Sequence, residues 1–123
     1  MYTLDTNAII YYLKGDENAF RFLNKILAKS VTLYVSAMTE IELFSFKNIS
    51  GVEMAHIETV LETTFVVPVD SKIARSAAKL RREYNLKIPD STIAATALLT
   101  NTILVTRNVK DFRKIPNLKM EKI

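Results

Sequence analysis

Cysteine is absent from this chain of 123 residues and histidine occurs once, at position 56, which excludes disulfide frameworks, thiolate metal sites and multi-histidine zinc clusters. Glycine is almost as scarce. With Gly15 and Gly51 alone, neither a phosphate-cradling Walker loop nor a dinucleotide fingerprint can be assembled, and no glycine elbow accompanies Ser36, Thr39 or Ser91 as a candidate nucleophile. Apolar residues make up 49% of the chain, yet no run approaches the ~20 residues of a membrane span, and Met1 leads straight into strand-like sequence without a basic leader. These absences lead us to expect a soluble, cytoplasmic protein without a membrane partner, folded as a single domain over residues 1–123.

What is present is an excess of positive charge. Seventeen Lys and Arg stand against thirteen Asp and Glu, a formal net charge of +4, which suits a polyanionic partner. Arg75, Lys79, Arg81, Arg82 and Lys87 precede Asp90, and Arg107, Lys110, Arg113 and Lys114 surround Asp111. A solvated helix face and a solubilising tail would produce the same runs.

Short β-branched or aromatic segments alternate with longer helical stripes, the pattern of an α/β domain with a mainly parallel sheet of four to five strands. Strands are expected at Tyr2–Leu4, Val31–Val35, Phe65–Val67 and Ile103–Val105, with a further edge strand within Leu118–Ile123. A helix from Thr6 to Leu13 should end at Gly15, and a second, starting near Asp16, carries Ala19, Phe22, Leu23, Ile26 and Leu27 at core spacing. Ser36–Thr39 should turn into a helix holding Ile41, Glu42, Leu43 and Phe46. Another carries Met54, Ile57, Val60 and Leu61, with His56 on its surface. Asp70 or Ser71 should cap the helix whose stripe is Ile73, Ala77, Leu80 and Tyr84, and Asp90 should open the helix Ser91–Thr100.

Four carboxylates, Asp5, Glu42, Asp90 and Asp111, fall where strands or loops give way to helices or turns. In parallel sheets that edge collects ligands. Magnesium and manganese take oxygen ligands, and such ions can align an attacking water and stabilise the leaving oxygen of a phosphodiester, so the pattern suits a metal-dependent nuclease. Each acid also has an ordinary structural role open to it. Asp5 and Asp90 suit N-caps, Thr39 and Glu42 have capping-box spacing, and Asn108 with Asp111 can organise a turn. Glu40 competes with Glu42, although a helix turns the two about 200° apart, so only one can face the site.

Together, Leu4-Asp5-Thr6-Asn7, the segment from Ser36 to Leu43, Pro89-Asp90-Ser91-Thr92-Ile93-Ala94-Ala95-Thr96-Ala97 and the segment from Leu104 to Phe112 resemble a PIN domain. More narrowly, they resemble the VapC ribonuclease toxins of toxin-antitoxin pairs. The resemblance spans essentially the whole chain and implies a three-layer α/β/α fold. It implies that Asp5, Glu42 and Asp90 bind the metal, which selects Glu42 over Glu40. Many relatives carry aspartate where this chain has Asn108, and Asp111 would take over that role. Thr6, Asn7, Thr106 and Asn108 would orient the carboxylates or the water. Arg81, Arg107 and Lys110 would contact RNA phosphates.

The implied activity is Mg²⁺- or Mn²⁺-dependent hydrolysis of RNA, leaving a 5′-phosphate and a 3′-hydroxyl, in a homodimer blocked by a cognate antitoxin. Two other classes fit parts of the pattern. A catalytically silent PIN-like module would bind RNA or scaffold a complex, as the amide of Asn108 would suit. A receiver-like phosphoacceptor domain would share the α/β alternation but needs a paired acid after the first strand, where Asp5 is followed by Thr6.

Overall fold

The computed structural model describes residues 1–123. Its centre is a five-stranded sheet in the order β3-β2-β1-β4-β5, in which every pairing is parallel. The strands are β1 (Tyr2–Leu4), β2 (Leu33–Ser36), β3 (Phe65–Val67), β4 (Ile103–Thr106) and β5 (Met120–Lys122). Parallel neighbours require crossovers, and helices supply them. Helices α1 (Thr6–Leu13) and α2 (Glu17–Ala28) lead to β2, and α3 (Ala37–Phe44) and α4 (Gly51–Glu62) to β3. Next, α5 (Ser71–Tyr84) and α6 (Ile88–Thr100) lead to β4, and the short α7 (Val109–Phe112) to β5.

The chain runs outward from β1 to β2 and β3, then returns to β1's other side for β4 and β5. Connections therefore diverge between β1 and β4, which opens a crevice beyond their carboxyl ends. The register Leu4↔Val105 makes Asp5 and Thr106 the next residues on adjacent strands. Side chains alternate across the sheet, so Leu104 joins one core with α5, α6, Phe112 and Ile115, while Val105 joins the other with Ile9, Leu23, Leu43 and Ile57. Helix α6 is buried without interruption from Ser91 to Ala97. Its Ala94, Ala95 and Ala97 let it pass close between sheet and α5.

Several boundaries differ from the sequence expectation for identifiable reasons. β2 begins at Leu33, because Leu33 is where pairing with Tyr2 starts, and it runs on to Ser36. α3 stops at Phe44, which leaves Phe46 outside it and exposed; Ile41 and Leu27 also face solvent instead of the core. α6 starts at Ile88, two residues before Asp90, with Lys87 as its N-cap and Pro89 in the first turn, where a missing N–H costs nothing. Gly15 (φ +81°) follows the Lys14 cap of α1, as glycine's freedom there predicts. No helix is long and apolar enough to cross a membrane.

Candidate active site

Asp5 stands at the N-cap position of α1 but makes no capping bond with its side chain. It is 3% exposed, and its Oδ2 accepts a hydrogen bond of 2.7 Å from the Thr106 hydroxyl on β4. The Asn108 backbone N–H donates to that same Thr106 oxygen at 2.9 Å, which leaves the threonine proton aimed at Asp5. Burial pushes the Asp5 carboxyl up to about 6, the Thr106 bond opposes the rise, and the charges of Asp90 and Glu42 add to it. An N-cap role does not account for this carboxylate.

Glu42 lies well inside α3, because Ser36 is the N-cap and accepts from Met38 N–H with its own hydroxyl. The capping box with Thr39 is therefore not formed. Instead Glu42 Oε1 accepts from the Thr6 hydroxyl at 2.6 Å; Thr39 Oγ1 is 3.0 Å from the same hydroxyl, whose single proton goes to the charged acceptor. Glu40 lines a different hollow, beside Glu58 and Glu62.

Asp90, third in α6, caps nothing. Its carboxyl is raised by burial first, then by the charges of Glu42 and Asp111, with Lys87 opposing. Asp111 accepts from the Asn108 side-chain amide at 3.0 Å, so the turn role and the cleft position coincide in one residue. Glu42, Asp90 and Asp111, with Asn7 and Asn108, line one cleft of about 340 Å³. Asp5 does not line it; it is a buried carboxyl near enough for its pKa to respond to Asp90 and Glu42.

No three Asp, Glu or His side chains stand close enough to form a ready coordination set. The donors are nevertheless the right kind for a hard cation, since the side-chain oxygens lining this cleft are those of carboxylates and amides. Magnesium keeps several of its waters and uses one or two carboxylates plus substrate phosphate, so a closed three-acid cage is not a requirement.

The three cations expected to meet RNA sit differently. Arg107 is committed inside the protein: it pairs with both Asp16 carboxylate oxygens (2.9 and 3.2 Å), donates to the Ile123 carbonyl at 3.0 Å and lies 3.9 Å over the Tyr11 ring. Arg81 donates to the Leu86 carbonyl at 2.8 Å, tying down the loop before α6. Lys110 is exposed on α7 and makes no ion pair. Lys87 and Lys114, noted in the sequence only as members of basic runs, line the acid cleft. A separate apolar groove of about 390 Å³, lined in part by Ile10, Leu13, Leu43, Phe46, Ile49 and Ile57, shares no residue with it.

The family model described as the PIN domain matches residues 2–118. Ribonuclease VapC2 of Rickettsia felis is 28% identical over 129 aligned residues, covering 98% of this chain and 96% of that protein. Ribonuclease VapC19 of Mycobacterium tuberculosis is 27% identical, covering 97% and 98%. A solved toxin-antitoxin complex from Klebsiella pneumoniae contains a chain with a TM-score of 0.80 and 31% identity, with 100% of both chains covered.

Proposed function

Because this chain belongs to the PIN-domain family and its likeness runs to the VapC-type ribonuclease toxins, we propose that it is a metal-dependent endoribonuclease and the toxin of a toxin-antitoxin pair. The observation that carries this reading is the cleft at the β1/β4 switch point, where acids from four separate stretches of chain line or neighbour one opening. One or two of Asp5, Glu42, Asp90 and Asp111 would bind Mg²⁺ or Mn²⁺ directly, the others through the ion's waters. The bound ion supplies an activated water and neutralises charge on the scissile phosphate.

The remaining work belongs to the chain. Thr106 orients Asp5, Thr6 orients Glu42, and Asn108 orients Asp111, so three of the four carboxylates are held before substrate arrives. Asn7 lines the mouth of the cleft, where it can donate to RNA or to water. Cleavage would leave a 5′-phosphate and a 3′-hydroxyl.

The test is an RNA-cleavage assay on purified Asp5→Asn. We expect a loss beyond the ~10–100-fold typical of a residue that only supports a metal ligand. A folded variant with undiminished metal-dependent cleavage would remove the assignment. The alternative of a catalytically silent PIN-like module that binds RNA or scaffolds a complex is favoured by Asn108, and measurable turnover by the parent protein eliminates it.

For the partner we propose a cognate antitoxin seated on the apolar groove beside Phe46, which is 53% exposed. The toxin-antitoxin complex of the Klebsiella relative supports the class of partner, and the exposed apolar lining of the groove supports its seat. Co-purification from the native operon, lost in Phe46→Asp, checks it. We also propose a homodimer; a monodisperse monomer across micromolar concentrations would count against that state.

A further inference from the structure

We propose that Lys87 and Lys114 are the residues that grip the backbone phosphates of an RNA strand lying in the acid cleft, a role Arg107 and Arg81 do not share. This inference rests on the nuclease reading of the same cleft.

The cleft has an electrostatic problem. A phosphate about 5 Å from a carboxylate is repelled by roughly 3 kcal/mol at an effective dielectric near 20, and Glu42, Asp90 and Asp111 all line the opening. A polyanion enters only where fixed cations offset that repulsion. Among the residues lining the cleft, Lys87 and Lys114 are the cationic ones. Neither forms an ion pair, since the chain's ion pairs are Arg21–Glu17 and Arg107–Asp16, although the charge of Lys87 is felt at Asp90.

Both lysines spring from anchored backbone. Lys87 follows Leu86, which is 4% exposed and whose carbonyl is held by Arg81, and the Lys87 carbonyl accepts from Ser91 N–H at 2.9 Å. Lys114 precedes Ile115, also 4% exposed and packed beside Phe112. Each therefore has a fixed root and a free, exposed ammonium, suited to a phosphate that must be held without being chosen by sequence. Arg107, by contrast, would have to abandon Asp16, Tyr11 and the Ile123 carbonyl to reach RNA.

Binding of a labelled single-stranded RNA, measured across a salt series in the Asp5→Asn protein, expected to be cleavage-impaired, with magnesium, tests this. Lys87→Gln and Lys114→Gln should each flatten the dependence of log K on log salt by ~0.7 and weaken binding about fivefold near ~0.1 M salt, while Lys→Arg at either position restores the slope. Arg107→Gln should leave the slope unchanged and lower the melting temperature. Unaltered slopes in both lysine variants, with the reference protein still binding, overturn this inference alone. A slope that drops in Arg107→Gln and not in the lysine variants overturns it equally. No salt-dependent RNA binding by the reference protein overturns both this inference and the nuclease reading.

Discussion

At the end of β1 the chain places a carboxylate where water scarcely reaches, and a single hydroxyl on the adjacent strand keeps it oriented. Thr106 does this through one relay, from the Asn108 N–H to its own oxygen and from its proton to Asp5. Thr106→Val preserves shape and removes the relay, so Asp5 loses its donor and the Asn108 N–H its acceptor. The expected outcome is a folded protein with cleavage reduced ~10–100-fold, read as kcat at saturating RNA with the salt slope of binding unchanged. Thr106→Ser, which keeps the hydroxyl, should recover most of the rate. Asp5 itself was legible in the sequence as an acid after a strand. That it is uncapped and paired to Thr106 was not, because residues 101 positions apart meet only when β1 and β4 pair.

Between elements, the most consequential contact joins the start of α2 to the loop after β4. Asp16 caps α2 by accepting from Ala19 N–H at 3.0 Å and also receives the Arg107 guanidinium. The sequence placed Asp16 near a helix start and Arg107 among RNA contacts, without a means of seeing that they face each other. Asp16→Asn separates the two roles, since asparagine still caps. Arg107 holds the Asp16 carboxyl down at about 2, against an ordinary 3.8. A depressed acid stabilises the fold above its unfolded pKa and loses that contribution as pH falls through the folded value. The parent should therefore melt above Asp16→Asn at neutral pH, with the gap closing between about pH 4 and pH 2. A gap that is flat across that window would mean the pair contributes nothing measurable.

For the whole molecule, burying the Asp5 carboxylate, with Asp90 and Glu42 adding to the burden, costs stability that a cation would return. Asp5 is raised from 3.8 to about 6, so the folded state favours its protonated form, and stability falls as pH rises through that interval. The shift corresponds to about 3 kcal/mol. In EDTA, the melting temperature should fall as pH is raised from about 4 to above 6, apart from other titrations, and Asp5→Asn should flatten the fall. Magnesium or manganese should raise the parent's melting temperature at pH 8 and have little effect on that variant. Equal responses of the two proteins to the ion would place its binding elsewhere.

The sequence by itself determined the alternation of strands and helices, the parallel sheet those crossovers require, and the four acids with their threonine and asparagine neighbours. Each is local: periodicity, caps and short motifs depend on residues a few positions apart. Tertiary structure alone decided that Thr106 meets Asp5, that Arg107 is held by Asp16, and that Lys87 and Lys114 share the cleft with the acids. Those outcomes depend on strand order and on which helix face meets the sheet, and distances between residues far apart in the chain exist only once that packing is complete.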